Sequence, residues 1–349
     1  MHSIAFIGTG PDPDNPVWGE SAAMAYRHAE GYDQLERCEL VACADLVREH
    51  GEAFAERYDI PDDYVYEDYE EMLARHEPTF VSISTPVPTH APIVIDCVES
   101  GHVDAIHCEK PMATTWADCK RMAKVAEEAG VQLTFNHQRR FDAARIRAKE
   151  LVEDGEIGDL ERLEMAGKNV YDFGSHLIDL CNSFVGEQDV AWVMGQIDYR
   201  EEDVRYGAHN ENNAIAHWEY ENGVPCLAST GPLSLVGAQH RILGSEGELL
   251  LSPDEGAELQ LRRDGADWEA IEVGREPSIP AAVEHIVACY ESGEQPVISA
   301  EGALRSTEVI FAIWESARRR GRIDLPLDIE DNPLEAMVED GIFTPVPPE

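Results

Sequence analysis

The first 135 residues predict a doubly wound α/β domain, and those after them predict an α+β domain built on a mostly antiparallel sheet. Three observations carry this. Short apolar runs alternate with amphipathic helical stretches up to residue 135, the rhythm then changes to strand-like runs separated by hairpin turns, and a Gly-x-Gly closes the first apolar run. A length of 349 residues also suits two cores better than one.

Residues 4–7 read as the first strand, and 39–44, 80–84, 105–108 and 131–135 as the next four. Helical stretches at 48–57, 69–75, 93–100 and 116–129 lie between them. Strands alternating with helices give a parallel sheet covered on both faces. In the second domain, 136–330, a helix at 143–154 leads to a strand at 160–165 and a helix from near Asp172. Strand-like stretches follow at 190–199, 213–220, 225–229, 241–243, 249–251 and 258–262, then helices at 280–292 and 302–320. The proline-rich 331–349 reads as an extended tail.

Charge narrows the function. There are 69 acidic against 27 basic residues, a formal net charge of -42, and only five of the basic residues are lysines (Lys110, Lys120, Lys124, Lys149 and Lys168). Such a chain repels nucleic acid and anionic lipid, so neither is an expected partner. The acids are dispersed from Glu20 to Glu349 rather than gathered in a tail. A dispersed acidic surface poor in lysine fits a salt-adapted source, because a Debye length of about 3 Å at 1 M salt screens the self-repulsion. The eight cysteines are scattered with no C-x-x-C spacing, so buried free thiols in a reducing cytoplasm are expected and a zinc site is not. No apolar run reaches the length of a membrane span, and the first residues lack the basic and cleavage features of a secretory signal.

The end of the first strand, Gly8-Thr9-Gly10, carries the first chemical signal. In a strand–turn–helix unit one glycine permits the tight turn, the next lets backbone approach a pyrophosphate, and the helix N-terminus faces the anion. The third small residue is displaced by the 11–19 insertion, and the helix is expected to start near 20–25, with Ala25 at the packing position. Asp45, closing the second strand, is placed either to accept both adenosine ribose hydroxyls or to cap the helix that follows. Leu46 brings no positive charge beside it, which favours NAD over NADP, though Arg48 is near.

The remaining motifs come in a fixed order: Thr85-Pro86 with His90 shortly after; Glu109-Lys110-Pro111; Asn136 to Phe141; and Asp172-x-Gly174-x-His176-x-x-Asp179. Lys110 follows the carboxyl end of a parallel strand, where open α/β sheets bind ligands. Asp172 and His176 are four apart and so would share a helical face, where a carboxylate orients an imidazole to remove a hydroxyl proton. Together the motifs resemble the Gfo/Idh/MocA family, over Ile4 to about Leu327.

The resemblance implies a Rossmann-type nicotinamide-binding domain and a sugar, sugar-acid or cyclitol dehydrogenase. Lys110, Asp172 and His176 would then be its catalytic residues, and Gly8, Thr9, Gly10, Asp45, Thr85, Pro86, His90, Glu109 and Lys110 would contact the cofactor. Arg139, Asn169, Asp172 and His176 would face the substrate. It also implies a cis Lys110–Pro111 peptide and a homodimer or homotetramer. Bland readings stand beside these: His90 and Asp172 as helix caps, His176 as a core histidine, Arg139 in an inter-domain salt bridge, Asp179 as structural. The lead-in from Glu164 to Tyr171 is shorter than in the family, so Lys168, Asn169 or Tyr171 would have to build the substrate wall. Two other functions share these features: an NAD-dependent lyase or glycosidase, and a non-catalytic NAD-binding sensor.

Overall fold

The structure is a computed structural model describing residues 1–14, 23–275 and 277–347. The chain forms two compact units, one of residues 1–114, 118–138 and 277–301, the other of 115–117, 139–276 and 302–349.

The first unit holds a six-stranded parallel sheet. Its strands are β1 (His2–Ile7), β2 (Cys38–Ala44), β3 (Val65–Tyr66), β4 (Phe80–Ile83), β5 (Ala105–Cys108) and β6 (Gln132–Phe135), in the order β3-β2-β1-β4-β5-β6. The helices between them are α1 (Met24–Asp33), α2 (Arg48–Arg57), α3 (Tyr69–His76), α4 (His90–Ser100) and α5 (Trp116–Ala129). β1 is central, and Ile4, Ala5 and Phe6 are fully buried, which is why it reads as a continuous apolar run instead of an alternating one. The strand order reverses between β1 and β4, so a crevice opens at their carboxyl ends. The edge strand β3 was not expected; two residues carry no periodicity. α1 starts at Met24, and most of the 11–19 insertion lies outside the described residues.

The second unit contains α6 (Ala143–Glu153), β7 (Leu160–Met165), α7 (Gly174–Phe184), β8 (Val190–Asp198) and a small hairpin of β9 (Val204–Arg205) and β10 (Ala208–His209). Then come β11 (Asn213–Tyr220), β12 (Pro225–Ser229), β13 (Ala238–Gly244), β14 (Gly247–Pro253), β15 (Leu259–Arg263) and β16 (Glu269–Ala270). Helix α8 (Ser278–Ser292) returns to the first unit, where it packs on α1. The second unit ends with α9 (Ala300–Arg319), β17 (Ile323–Asp324) and α10 (Pro333–Glu339). Its nine-stranded sheet, β16-β15-β14-β13-β7-β12-β11-β8-β17, is antiparallel except at the β7–β12 pair.

One face of β8 and β11 buries Val193, Ile197, Ala216 and Trp218, while Met194 and Ile215 on the other face are half exposed. Helix α9 lies against the buried face, with Ser316 Oγ accepting from Gly195 N at 2.8 Å. The extended tail expected from 331 onward is corrected. Asn332 caps α10 by accepting from Leu334 N and Glu335 N, and Leu334 and Met337 are buried. A capping Asn followed by Pro at the first helical position starts a helix even in a proline-rich stretch. No helix among the described residues is long and apolar enough to cross a membrane.

Candidate active site

In the first unit, a cavity of about 450 Å³ lies outside the carboxyl ends of β1, β2 and β4, lined by Gly8, Gly10, Asp45, Leu46, Thr85 and Pro86 among others. Gly8 has a φ of 81°, and a Cβ there would stand 2.5 Å from Thr85 Cγ2 and 3.1 Å from its backbone nitrogen. The strand end can therefore approach Thr85 this closely only as glycine. Asp45 braces this loop. Its Oδ2 accepts from Thr9 Oγ1 at 3.1 Å and Gly10 N at 2.9 Å, and its Oδ1 accepts from Val47 N at 2.9 Å. The helix-cap reading of Asp45 is corrected, because Val47 occupies the N-cap of α2. Thr9 is fully buried, so its part in the loop is that hydroxyl bond to Asp45. Exposed glycine backbone, a carboxylate at the end of β2 and an apolar wall suit an adenine dinucleotide.

His90 and Glu109 lie beneath this surface. His90 is 1% exposed, with Nδ1 2.9 Å from Pro111 O and Nε2 2.8 Å from Thr85 O. It ties the Thr85-Pro86 turn to the Lys110–Pro111 peptide, which is cis. Burial lowers its pKa, opposed by the two carbonyls, to only one of which a neutral ring could donate. Both ring nitrogens face carbonyls, which leaves no polar edge for a cofactor. The cap reading fails as well, since α4 has no side-chain cap.

Glu109 accepts from Asn136 Nδ2 at 2.6 Å, pairs with His28 Nε2 at 3.0 Å, and takes the backbone N–H of Lys110 at 3.2 Å. Burial alone would push Glu109 up, but His28, Lys110 and Asn136 outweigh it and hold the carboxyl at about 2. Next to His28, His107 is pushed down to about 3 by burial and by the like charge of His28. Lys110 thus follows an ionised, buried glutamate. His28, on α1 and 81 residues from Glu109, carried no signal in the sequence.

In the second unit, residues 170–173 form a turn leading into α7. Asp172 stands in this turn, two residues before the helix, and not within it as expected; His176 is in the first turn of α7 and 5% exposed. Three side chains hold the turn. Asn169 Oδ1 accepts from Phe173 N at 2.8 Å, Asn210 Oδ1 from Asp172 N at 3.1 Å, and Glu211 Oε1 from Val170 N at 2.6 Å. Gly174 is required here, because a Cβ would stand 2.5 Å from Asn169 O. Asn169 is 1% exposed and serves as a brace, not as substrate wall. Glu211 also accepts from Trp314 Nε1 at 3.1 Å, and burial raises its carboxyl to about 7.

Asp179 forms a forked pair with Arg140, at 2.7 and 2.8 Å, a structural part. Arg139 stacks on Phe173 with its guanidinium 4.3 Å from the ring centre, and donates to Gln239 Oε1 at 3.1 Å; both partners lie within this unit. The first unit therefore gathers Gly8, Thr9, Gly10, Asp45, Thr85 and Pro86, and the second gathers Arg139, Asn169, Asp172 and His176. Neither Asn210 nor Glu211 was legible in the sequence; topology alone brings them to the turn. No group of three or more His, Cys, Asp or Glu among the described residues is arranged to hold a metal ion.

A parallel sheet whose strand order reverses at a glycine turn, followed by a mostly antiparallel second unit, defines a Rossmann-type two-unit fold. The chain belongs to the Gfo/Idh/MocA oxidoreductase family: residues 17–137 match its NAD-binding Rossmann fold and residues 149–325 its C-terminal alpha/beta domain. It is 26% identical over 340 residues to a D-apiose dehydrogenase of Paraburkholderia graminis, covering 85% of this chain and 86% of that one. It is 22% identical over 322 residues to a myo-inositol 2-dehydrogenase of Thermotoga maritima, covering 85% and 94%. Its fold is that of an aldose-aldose oxidoreductase from Caulobacter crescentus crystallised with glycerol (TM-score 0.76, 20% identity, 93% of this chain and 99% of that one).

Proposed function

We propose that this oxidoreductase oxidises a secondary or anomeric hydroxyl of a sugar, sugar acid or cyclitol, with NAD as the preferred cofactor. The observation that carries the reading is the bracing of the Asp172 turn by Asn169, Asn210 and the buried Glu211, because fixing a carboxylate just ahead of His176 is preorganisation for proton transfer. In this reading His176 takes the hydroxyl proton and Asp172 orients the imidazole. Lys110, whose backbone N–H is held by the ionised Glu109, polarises the hydroxyl and stabilises the developing alkoxide. NAD, when bound, supplies the hydride acceptor. Asp45 and the apolar Leu46 favour the unphosphorylated ribose. The dehydrogenase and cyclitol relatives support this substrate range.

A panel of aldoses, sugar acids and inositols with NAD or NADP, followed by absorbance of the reduced cofactor, tests the reading. Lys110→Ala and His176→Ala are each expected to lower kcat by about 10²- to 10⁴-fold, the usual weight of a proton-transfer group. Product release without accumulation of reduced cofactor would instead indicate a lyase or glycosidase. Unchanged turnover in both variants would sink the mechanism. The half-exposed Met194 and Ile215 suit assembly through the open sheet face as a dimer or tetramer, measurable by light scattering.

A further inference from the structure

Two cations beside the Asp172 turn, Arg139 and Lys168, make no ion pair with any carboxylate among the described residues, although Asp142, Glu258 and Asp172 act on Arg139 from further off. Arg139 is half-buried, yet no carboxylate among the described residues lies within ion-pairing distance of it. Every other buried or half-buried arginine has one, as Arg140, Arg145, Arg241, Arg305 and Arg318 do. The contrast is sharpest next door: Arg145 shares Gln239 Oε1 with Arg139 but also takes Asp142 and Glu258. Lys168 likewise has no ion pair among the described residues, and its Nζ stands 6.0 Å from the centre of the Phe173 ring on which Arg139 stacks. In a chain with 69 acidic residues, the lack of an ion pair at either cation is not explained by a shortage of acids.

Lys168 also lines a cavity of about 610 Å³ with Arg200, Arg205, Asp198, Asp203 and Glu201 among its walls. Asp198 and Asp203 are neutralised there by Arg200 and Arg205. Glu201, Glu211 and Asn213 also line it, whereas the Asn212 amide is taken up by the backbone of Arg200 and Glu201.

We propose that Arg139 and Lys168 form an anion subsite, and that the substrate is a sugar acid whose carboxylate binds there. This rests on the dehydrogenase reading and narrows its substrate class. Arg139 packs its guanidinium over Phe173 and spends one N–H on Gln239, and its other N–H donors are of the kind a carboxylate accepts from. Burial and the like charge of Arg145 push Arg139 down to about 10, against the pull of Asp142, Glu258 and Asp172.

The test compares D-glucuronate and D-galacturonate with D-glucose and D-galactose, and D-gluconate with sorbitol, at one fixed ionic strength. Both turnover with NAD and binding to the NAD complex by calorimetry are measured. Each acid is expected to exceed its neutral partner in kcat/KM. Arg139→Gln and Lys168→Gln are each expected to shrink that acid-to-neutral ratio by about 10- to 100-fold, the weight of a hydrogen bond to a charged group. Arg139→Lys should recover part of it, which a purely structural arginine would not require. Neutral substrates preferred, with a ratio indifferent to both variants, would overturn the inference and leave the dehydrogenase standing. Sugar acids that bind in an Arg139-dependent way without being oxidised would overturn the dehydrogenase and leave the subsite. Acids that bind no better than their neutral partners would end the proposal whatever the turnover.

Discussion

At the scale of single residues, two buried carboxyls respond to pH in opposite senses. Glu109 is held at about 2, below its unfolded value, so the stability it contributes is present at neutral pH and is lost as pH falls from about 4 toward 2. Glu211 is raised to about 7, so the folded chain binds its proton more tightly than the unfolded chain. Its contribution is complete below about pH 4 and diminishes as pH rises toward 7, then levels off. Glu211→Gln is expected to flatten the dependence of Tm on pH across that upper window; an unchanged slope would show that Glu211 is not what titrates. Gly174→Ala places a methyl against Asn169 O and is expected to cost about 1–3 kcal/mol, the usual penalty of overpacking, with a parallel loss of kcat as the Asp172 turn shifts. Denaturant unfolding and kinetics on the same variant check both. The sequence shows Asp172, Gly174 and His176 because they sit within five positions. His28, Asn210 and Glu211 reach their partners from 38 to 81 residues away, and no local pattern announces them.

At the scale of elements, the parallel strands were legible because they are buried on both faces and so appear as short unbroken apolar runs. Expected and observed boundaries of β1, β2, β4, β5 and β6 agree within two residues, and β7 agrees at both ends. What escaped was set by weak or misleading local signals. β3 is too short for a period, and α7 begins after the Asp172 turn because the 170–173 turn is closed by side chains from elsewhere. The loop after β1 depends on Asp45 as a brace between two elements. Asp45→Ala is therefore expected to raise the KM for NAD and also to lower Tm in the cofactor-free protein, since Thr9 and Gly10 lose their acceptor. A residue that only met the ribose would change the first quantity and leave the second alone.

At the scale of the whole molecule, the net charge of -42 makes self-repulsion a global term. Tm is expected to climb as potassium chloride is raised from about 0.1 M toward 1 M, where the screening length falls to about 3 Å. Equal stability and activity at both ends of that range would remove the case for salt adaptation. The two units also share the chain unequally, since α8 joins the first unit although it follows the large sheet of the second in sequence. A ribosome delivering this chain from its N-terminus exposes β1 to β6 long before α8 has been made. Until residues 277–301 emerge, the α1 surface that α8 will cover stays open to solvent. The α1 face is thus the last part of the nucleotide-binding half to be covered, and a chain truncated near residue 138 would lack the helix that covers it.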